Sequence, residues 1–266
     1  MVSSGPSGCD SVQELVAALD ARGLELPVSP GLEALAEPVP LGSVSAPNRF
    51  AIQPMEGCDC DPAGAPTELT RRRYRRFGGG GAGLIWFEAC AVVPDGRANP
   101  HQMMLTDANV GEWARVVDET RRAGRQAMGA GHEPVCVLQL THSGRFSQPE
   151  PVLGYHSPAL DRWQGLSPEH PLITDGELDA LQESFLAAAR LAQRAGFDGV
   201  DVKACHGYLA AELLRAFPRT DSRYGGPAWE NRTRLVRGTA LRIADDLPAM
   251  MVTSRLNGWD PVDYPR

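Results

Sequence analysis

Five short apolar runs alternate with longer segments of helical periodicity, and this alternation constrains the fold more than any other feature of the chain. The runs are residues 50–55, 83–88, 135–139, 199–203 and 249–255; the helical segments between them are 67–77, 107–123, 174–195 and 229–246. Strands separated by helices pair in parallel through right-handed crossovers, which excludes all-β and all-α chains. Runs that are apolar throughout, rather than alternating with polar residues, are strands covered on both faces. Helix starts are legible too. Thr67 caps a basic helix with Glu68 in its first turn, Asp107 or Asn109 caps the next, and Thr174-Asp175-Gly176-Glu177 has the pattern of a capping box.

Alternation alone does not separate a barrel from a doubly wound sheet, but the connections do. Those leaving the first four strands are long and rich in His, Arg, Gly and Pro, whereas those entering strands are short, as at Ala195-Gly196-Phe197. Chemistry gathered on one rim in this way is the arrangement of a (β/α)8 barrel. The expected fold is therefore α/β, of TIM-barrel type, with about the first five β/α units present. Residues 1–40 read as an N-terminal extension and residues 41–266 as the partial barrel. The extension is Ser/Gly-rich to residue 10 and helical over 12–21, and a Pro-rich stretch runs from 27 to 47.

With 266 residues, 42% of them hydrophobic, the chain can bury one sizeable core. Its 26 basic and 33 acidic residues leave a net charge of -7, a surface that repels nucleic-acid phosphates. No apolar run is long enough to span a membrane, and the first residues lack the basic and apolar regions of a secretory signal. Cys90, Cys136 and Cys205 lie in apolar, strand-like surroundings and read as buried thiols of a reducing, cytoplasmic compartment. Cys58-Asp59-Cys60 has the wrong spacing for a zinc knuckle, so no metal is expected.

The run from Gly78 to Gly83 follows a helix and precedes a strand, the reverse of a phosphate-binding loop, and reads as a tightly packed helix stop. In Gln139-Leu140-Thr141-His142-Ser143-Gly144-Arg145 the amide of Gln139 ends an apolar strand at the rim. It can pair with a ring of alternating N–H and C=O groups, or equally with its own loop. Lys203-Ala204-Cys205-His206-Gly207-Tyr208-Leu209 crowds three titratable side chains at the end of the fourth strand. Lysine and histidine there can donate to a carbonyl or carboxylate oxygen, and a tyrosine can deliver a proton. Arg215, Arg219, Arg223 and Arg232 read as structural ion-pairing residues, with Asp221 as a local partner. A metal hydrolase built on His142, His206 and Asp201 is a poorer reading. No HxH or HExxH spacing supports it, and Asp201 is expected to point away from the rim loop.

Taken in order, these residues resemble the old yellow enzyme family of NAD(P)H:flavin oxidoreductases. The matching segments are Asn48-Arg49 with Pro54-Met55, Phe87-Glu88-Ala89, Gly96-Arg97, the motif from Gln139, Ala195-Gly196-Phe197-Asp198-Gly199-Val200, His206-Gly207-Tyr208-Leu209, the segment from Arg219 to Gly226, Glu230-Asn231-Arg232 and Arg255-Leu256-Asn257. The resemblance implies FMN at the C-terminal rim. Gln53, Pro54, Met55 and Glu56 would pass under the flavin by their backbone, Ala89 would lie beside its ring, and Gln139 would bond its pyrimidine edge. Arg255 would sit where positive charge stabilises the reduced flavin. Lys203 and His206 would grip the carbonyl oxygen of an α,β-unsaturated substrate. Hydride would add at the β carbon and Tyr208 would protonate the α carbon. NADH or NADPH would reduce the flavin first, in a ping-pong cycle through the same pocket. A homo-oligomer is compatible with the resemblance.

Three departures qualify it. Lys203 stands where the family usually has His; lysine is a stronger cation, so an anionic substrate is expected. Glu56 stands where Thr or Cys is frequent, and a carboxylate there is expected to lower the flavin potential. The chain shows five strands where a barrel has eight, and in this barrel class the phosphate grip follows the seventh and eighth strands. The expectation is that the 266 residues alone hold FMN weakly or not at all and are poorly soluble. The alternative is a non-catalytic truncated barrel remnant, or an assembly subunit that pairs with another chain.

Overall fold

The computed structural model describes residues 8–29 and 31–259. Residues up to Glu37 form one compact unit and those from Pro38 a second. The first holds α1 (Val12–Asp20), capped by the Ser11 hydroxyl accepting from Glu14 N, and the short α2 (Glu33–Ala36).

The second unit opens on an antiparallel hairpin, β1 (Val39–Leu41) with β2 (Val44–Ala46). The Pro-rich reading of 27–47 missed it, because Pro40 hides an apolar alternation carried by Val39, Leu41, Val44 and Ala46. Next come β3 (Ala51–Ile52), α3 (Glu68–Gly79), β4 (Leu84–Ala91), α4 (Val110–Met128) and β5 (Val135–Thr141). They are followed by α5 (Pro158–Gln164), α6 (Asp175–Arg194), β6 (Gly199–Val202), α7 (Leu209–Leu214), α8 (Trp229–Arg232), α9 (Arg234–Asp246) and β7 (Met251–Thr253).

Among the described residues, five strands form one all-parallel sheet in the order β3-β4-β5-β6-β7. A doubly wound sheet reverses its strand order at a switch point; a strictly sequential order belongs to a barrel. The two faces of the strands confirm it. Ile85, Phe87, Cys136, Leu138, Leu140, Val200 and Val202 join the core shared with the surrounding helices. The residues between them, Leu84, Trp86, Val135, Val137 and Met251, face the interior and pack with Leu41, Val44 and Ala46 of the hairpin. Higher along the same interior rows come Gln139 and Asp201, paired in register, and then Lys203. The interior thus runs from an apolar floor, closed by the hairpin, to a polar rim.

Several expected elements appear with their expected devices. Thr67 and Thr70 form a reciprocal capping box on α3, and Thr174 and Glu177 form the one foreseen on α6. Asn109 holds the cap position of α4, yet its side chain turns back to Thr106 N and Met104 O instead of capping the helix. The helix expected over 229–246 breaks at Thr233, whose hydroxyl donates to Trp229 O at 2.9 Å. Such back-bonding bends helices. The Gly-rich run is a packing device: a Cβ on Gly78 would lie 2.0 Å from Thr120 O, so only glycine lets α3 approach α4 this closely. Asn48 then ties down the turn, donating to Gly81 O and accepting from Gly83 N, both at 2.8 Å.

No helix among the described residues is long and apolar enough to cross a membrane. Cys90, Cys136 and Cys205 are buried free thiols, as is Cys60.

Candidate active site at the barrel rim

Lys203 extends the interior row of β6 by one residue, its N–H donating to Leu140 O at 3.0 Å. Its side chain is 2% exposed, and Nζ donates to Glu56 Oε1 at 2.8 Å. Tyr208, the residue before α7, sends its hydroxyl to the same carboxylate, 3.0 and 3.2 Å from the two oxygens. Lys203 Nζ also lies 3.7 Å from the centroid of the Tyr208 ring, so ammonium, carboxylate and phenol form one closed cluster. Burial, and then the Glu56 charge, push the phenol well above the usual tyrosine range, which favours its protonated form. His206 is different. It is exposed, sits in left-handed backbone at φ 61°, and is fastened by its N–H to Asn257 Oδ1 at 3.2 Å. Partial desolvation and the nearby cations Lys203 and Arg255 hold its imidazole below the ordinary histidine range. Its ring makes no hydrogen bond among the described residues, so the structure joins Lys203 to Tyr208 but leaves His206 at the margin.

One layer below, Gln139 Nε2 donates to Asp201 Oδ2 at 2.5 Å, and Asp201 Oδ1 accepts from Arg255 N at 2.8 Å. Asp201 therefore faces the interior beneath the rim, where burial raises its carboxyl. Ala89 is fully buried beside Gln139 in the strand register, its carbonyl accepting from Gln102 Nε2 at 3.2 Å. Pro54 is buried, Gln53 and Met55 are exposed, and Arg255 is half-buried. The structure thus gathers Ala89, Gln139 and Arg255 at the ends of β4, β5 and β7.

The loop carrying Glu56 is clamped from behind. A bulge between Phe87 and Ala89 turns Glu88 out of the ladder, toward α3. Glu88 is fully buried. It accepts from Gly57 N at 3.0 Å, from Arg73 Nη2 at 2.5 Å and from the Tyr74 hydroxyl at 3.1 Å. Arg73 also holds Asp59 at 2.8 Å, and Thr70 donates to Asp59 at 2.8 Å. A Cβ on Gly57 would sit 2.3 Å from Arg73 Nη2, so a larger residue there would have to displace the guanidinium. Among the described residues only Asp59, Cys60 and Glu88 come close enough to share a metal ion. Arg73 already occupies both carboxylates, so the group works as an ion-pair clamp. His142, His206 and Asp201 are not brought together. The clamp's sequence signal was Glu88 itself, a charge inside an apolar strand.

A second network fixes the long loop after β5. Arg145, 1% exposed, donates to Glu212 at 2.6 Å, to Asp161 and Gln164 at 3.0 Å each, and to Tyr155 O at 3.1 Å. The expected ion-pairing role of the later arginines is corrected in its partners. Arg219 binds Asp175 at 3.0 Å and Arg223 binds Asp179 at 2.7 Å, rather than Asp221. Arg232 instead donates to the carbonyls of Gly226 and Pro227.

His142 is buried with Nδ1 accepting from Gly144 N at 3.0 Å, and burial pushes its pKa down to about 4. The unfolded chain takes up this proton near pH 6.5 and the folded chain only near pH 4. Between those values the unfolded state binds more protons, so stability falls as pH drops through the window, by about 3 kcal/mol at most. Urea midpoints measured from pH 7 to pH 4.5 should fall in the parent protein and fall less in His142→Gln.

The sequence profile of the NADH:flavin oxidoreductase / NADH oxidase family matches residues 34–263. The chain belongs to this family. Within the family it is 30% identical over 243 residues to an NADH:flavin oxidoreductase of Gibberella zeae, covering 85% of this chain and 57% of that protein. It is 29% identical over 202 residues to an NADPH dehydrogenase of Clostridium acetobutylicum, covering 71% and 53%. The chain spans about half the length of the curated relatives it matches. Among solved structures, morphinone reductase in complex with tetrahydroNAD superposes with a TM-score of 0.69 at 28% identity, over 84% of this chain and 63% of that one. The old yellow enzyme homologue from Zymomonas mobilis gives 0.69 at 27% identity, over the same 84% and 63%. The family's fold is the (β/α)8 barrel, of which the described residues form the first five strands.

Proposed function

We propose that the protein is an FMN-dependent oxidoreductase that reduces the activated C=C bond of an α,β-unsaturated carbonyl compound at the expense of NADH or NADPH. The observation that carries this reading is the joint placement of Lys203 and Tyr208, an ammonium donor and a neutral phenol, on the barrel rim, with Lys203 next along the interior row beyond Asp201 and Gln139.

The residues fit the flavin chemically. Gln139 commits its amide nitrogen to Asp201, which leaves its carbonyl oxygen without a partner among the described residues. That oxygen suits the N–H of a flavin pyrimidine edge. Ala89 offers a methyl-sized neighbour, Arg255 a cation, and residues 53–56 a backbone fixed by the clamp behind Gly57. Bound FMN would supply two-electron hydride transfer between the nicotinamide and the alkene. Lys203 and His206 would donate to the substrate's carbonyl oxygen, drawing electron density from the β carbon. Tyr208 Oη would give its proton to the α carbon. Both half-reactions would share the pocket in a ping-pong cycle. The buried free thiols fit a reducing compartment, and we place the protein in the cytoplasm.

In barrels of this class the flavin phosphate is gripped after the seventh and eighth strands, so the test supplies FMN in excess. With NADPH and cyclohex-2-enone, the protein should perturb the flavin absorption spectrum and form cyclohexanone. Free-flavin spectra together with a rate equal to the protein-free control would overturn the proposal.

A further inference from the structure

Lys203 is the only lysine in the 266 residues; every other basic residue is an arginine. This single ammonium is buried to 2% exposure, and Glu56 stands on it at 2.8 Å. The same carboxylate takes the Tyr208 hydroxyl. Two of the three donors assigned above to the substrate, Lys203 and Tyr208, are therefore both held by one carboxylate of the chain itself.

Glu56 is not a mobile surface acid that happens to lie near. Its neighbour Gly57 donates to the buried Glu88 and lies under Arg73, so the backbone that carries the carboxylate is anchored one residue away. At 22% side-chain exposure it is also the more accessible partner, so a ligand reaching Lys203 meets Glu56 first. Lys203 and Glu56 sum to zero charge, the imidazole of His206 is held below the ordinary histidine range beside them, and Arg255, the other cation nearby, is the one assigned above to the flavin. Glu56→Gln would leave the cation in place with no counter-charge.

We infer that Glu56 sets the charge selectivity of the rim. It cancels the Lys203 cation, so the site accepts uncharged carbonyl groups and rejects carboxylates of the same shape. This reverses the anionic preference that Lys203 suggests on its own. The inference rests on the proposed roles of Lys203 in the substrate grip and of Tyr208 as proton donor, and it adds to them a specificity residue outside both.

A matched pair of ligands tests it. Crotonamide and crotonate share one skeleton and differ in charge. Their dissociation constants would be measured on the flavin-loaded protein at pH 7, for the parent, Glu56→Gln and Glu56→Thr, the last in case the first fails to fold. Because Lys203 is the sole lysine, its acylation by an acetylating ester can be read by peptide mass spectrometry with no turnover required. The parent should prefer crotonamide. Both variants should shift the preference toward crotonate by about tenfold or more, the scale of one partly screened charge at this distance. Crotonate should protect Lys203 from acylation in the variants and not in the parent. A crotonamide-to-crotonate ratio that stays within about threefold of the parent's overturns the inference and leaves the grip standing. If neither ligand binds the parent or the variants, the substrate-grip reading falls and the inference falls with it.

Discussion

Tyr208→Phe should slow alkene reduction by about 10²–10⁴-fold, the range that a positioned general acid contributes. The phenol is suited to that role because burial and the Glu56 carboxylate keep it protonated. The substitution removes only the oxygen. The ring should stay where it is, against Lys203 at 3.7 Å and Phe146 at 5.9 Å. Steady-state rates with cyclohex-2-enone should therefore collapse, while NADPH should still bleach the flavin at close to the parent rate. A Phe variant retaining more than about a third of the alkene-reducing rate would remove Tyr208 from the chemistry.

Arg145→Ala should cost about 3–5 kcal/mol, because it strands a buried carboxylate instead of merely deleting a contact. Glu212 is fully buried and raised by that burial, and Arg145 is the first of the groups that counter it. Glu212 also accepts from Gly154 N at 2.9 Å, so the loss should spread through the long loop to α7. A urea midpoint measurement reads the effect directly. The double variant Arg145→Met with Glu212→Leu should lose less than Arg145→Ala, since an apolar pair leaves no buried charge unmatched. A single variant within about 1 kcal/mol of the parent would show that water reaches this pocket.

The sequence was most legible where one side chain settles one local question. The Thr174–Glu177 capping box, the Thr67 cap and the glycine stop before β4 all act within a few residues, and each was visible in advance. The strands were legible because both faces are covered, so they read as unbroken apolar runs. Strand order carried no local signal, and the barrel had to be inferred from loop length and polarity. Elements of six or seven residues, such as α5 and α7, were too short for periodicity to register. The largest omission was the partner of Lys203. Glu56 precedes it by 147 positions, and only the closing of β3 alongside β4, β5 and β6 brings the two together. Glu56 and Lys203 were each noted as departures from the family pattern, one assigned to the flavin and the other to the substrate. Their pairing turns two anomalies into one compensated feature.

The bulge in β4 has a further consequence, one of parity. Along an unbroken strand side chains alternate between faces, so Leu84 and Trp86 inside would be followed by Glu88 inside and Ala89 outside. The extra residue inverts the count beyond Phe87. It turns the carboxylate outward to the arginine and glycine that await it on α3 and the Glu56 loop, and it turns the methyl group of Ala89 inward beside Gln139. One inserted residue thus keeps a second carboxylate out of the interior layer that already holds Asp201, and the same residue anchors the loop that brings Glu56 to Lys203.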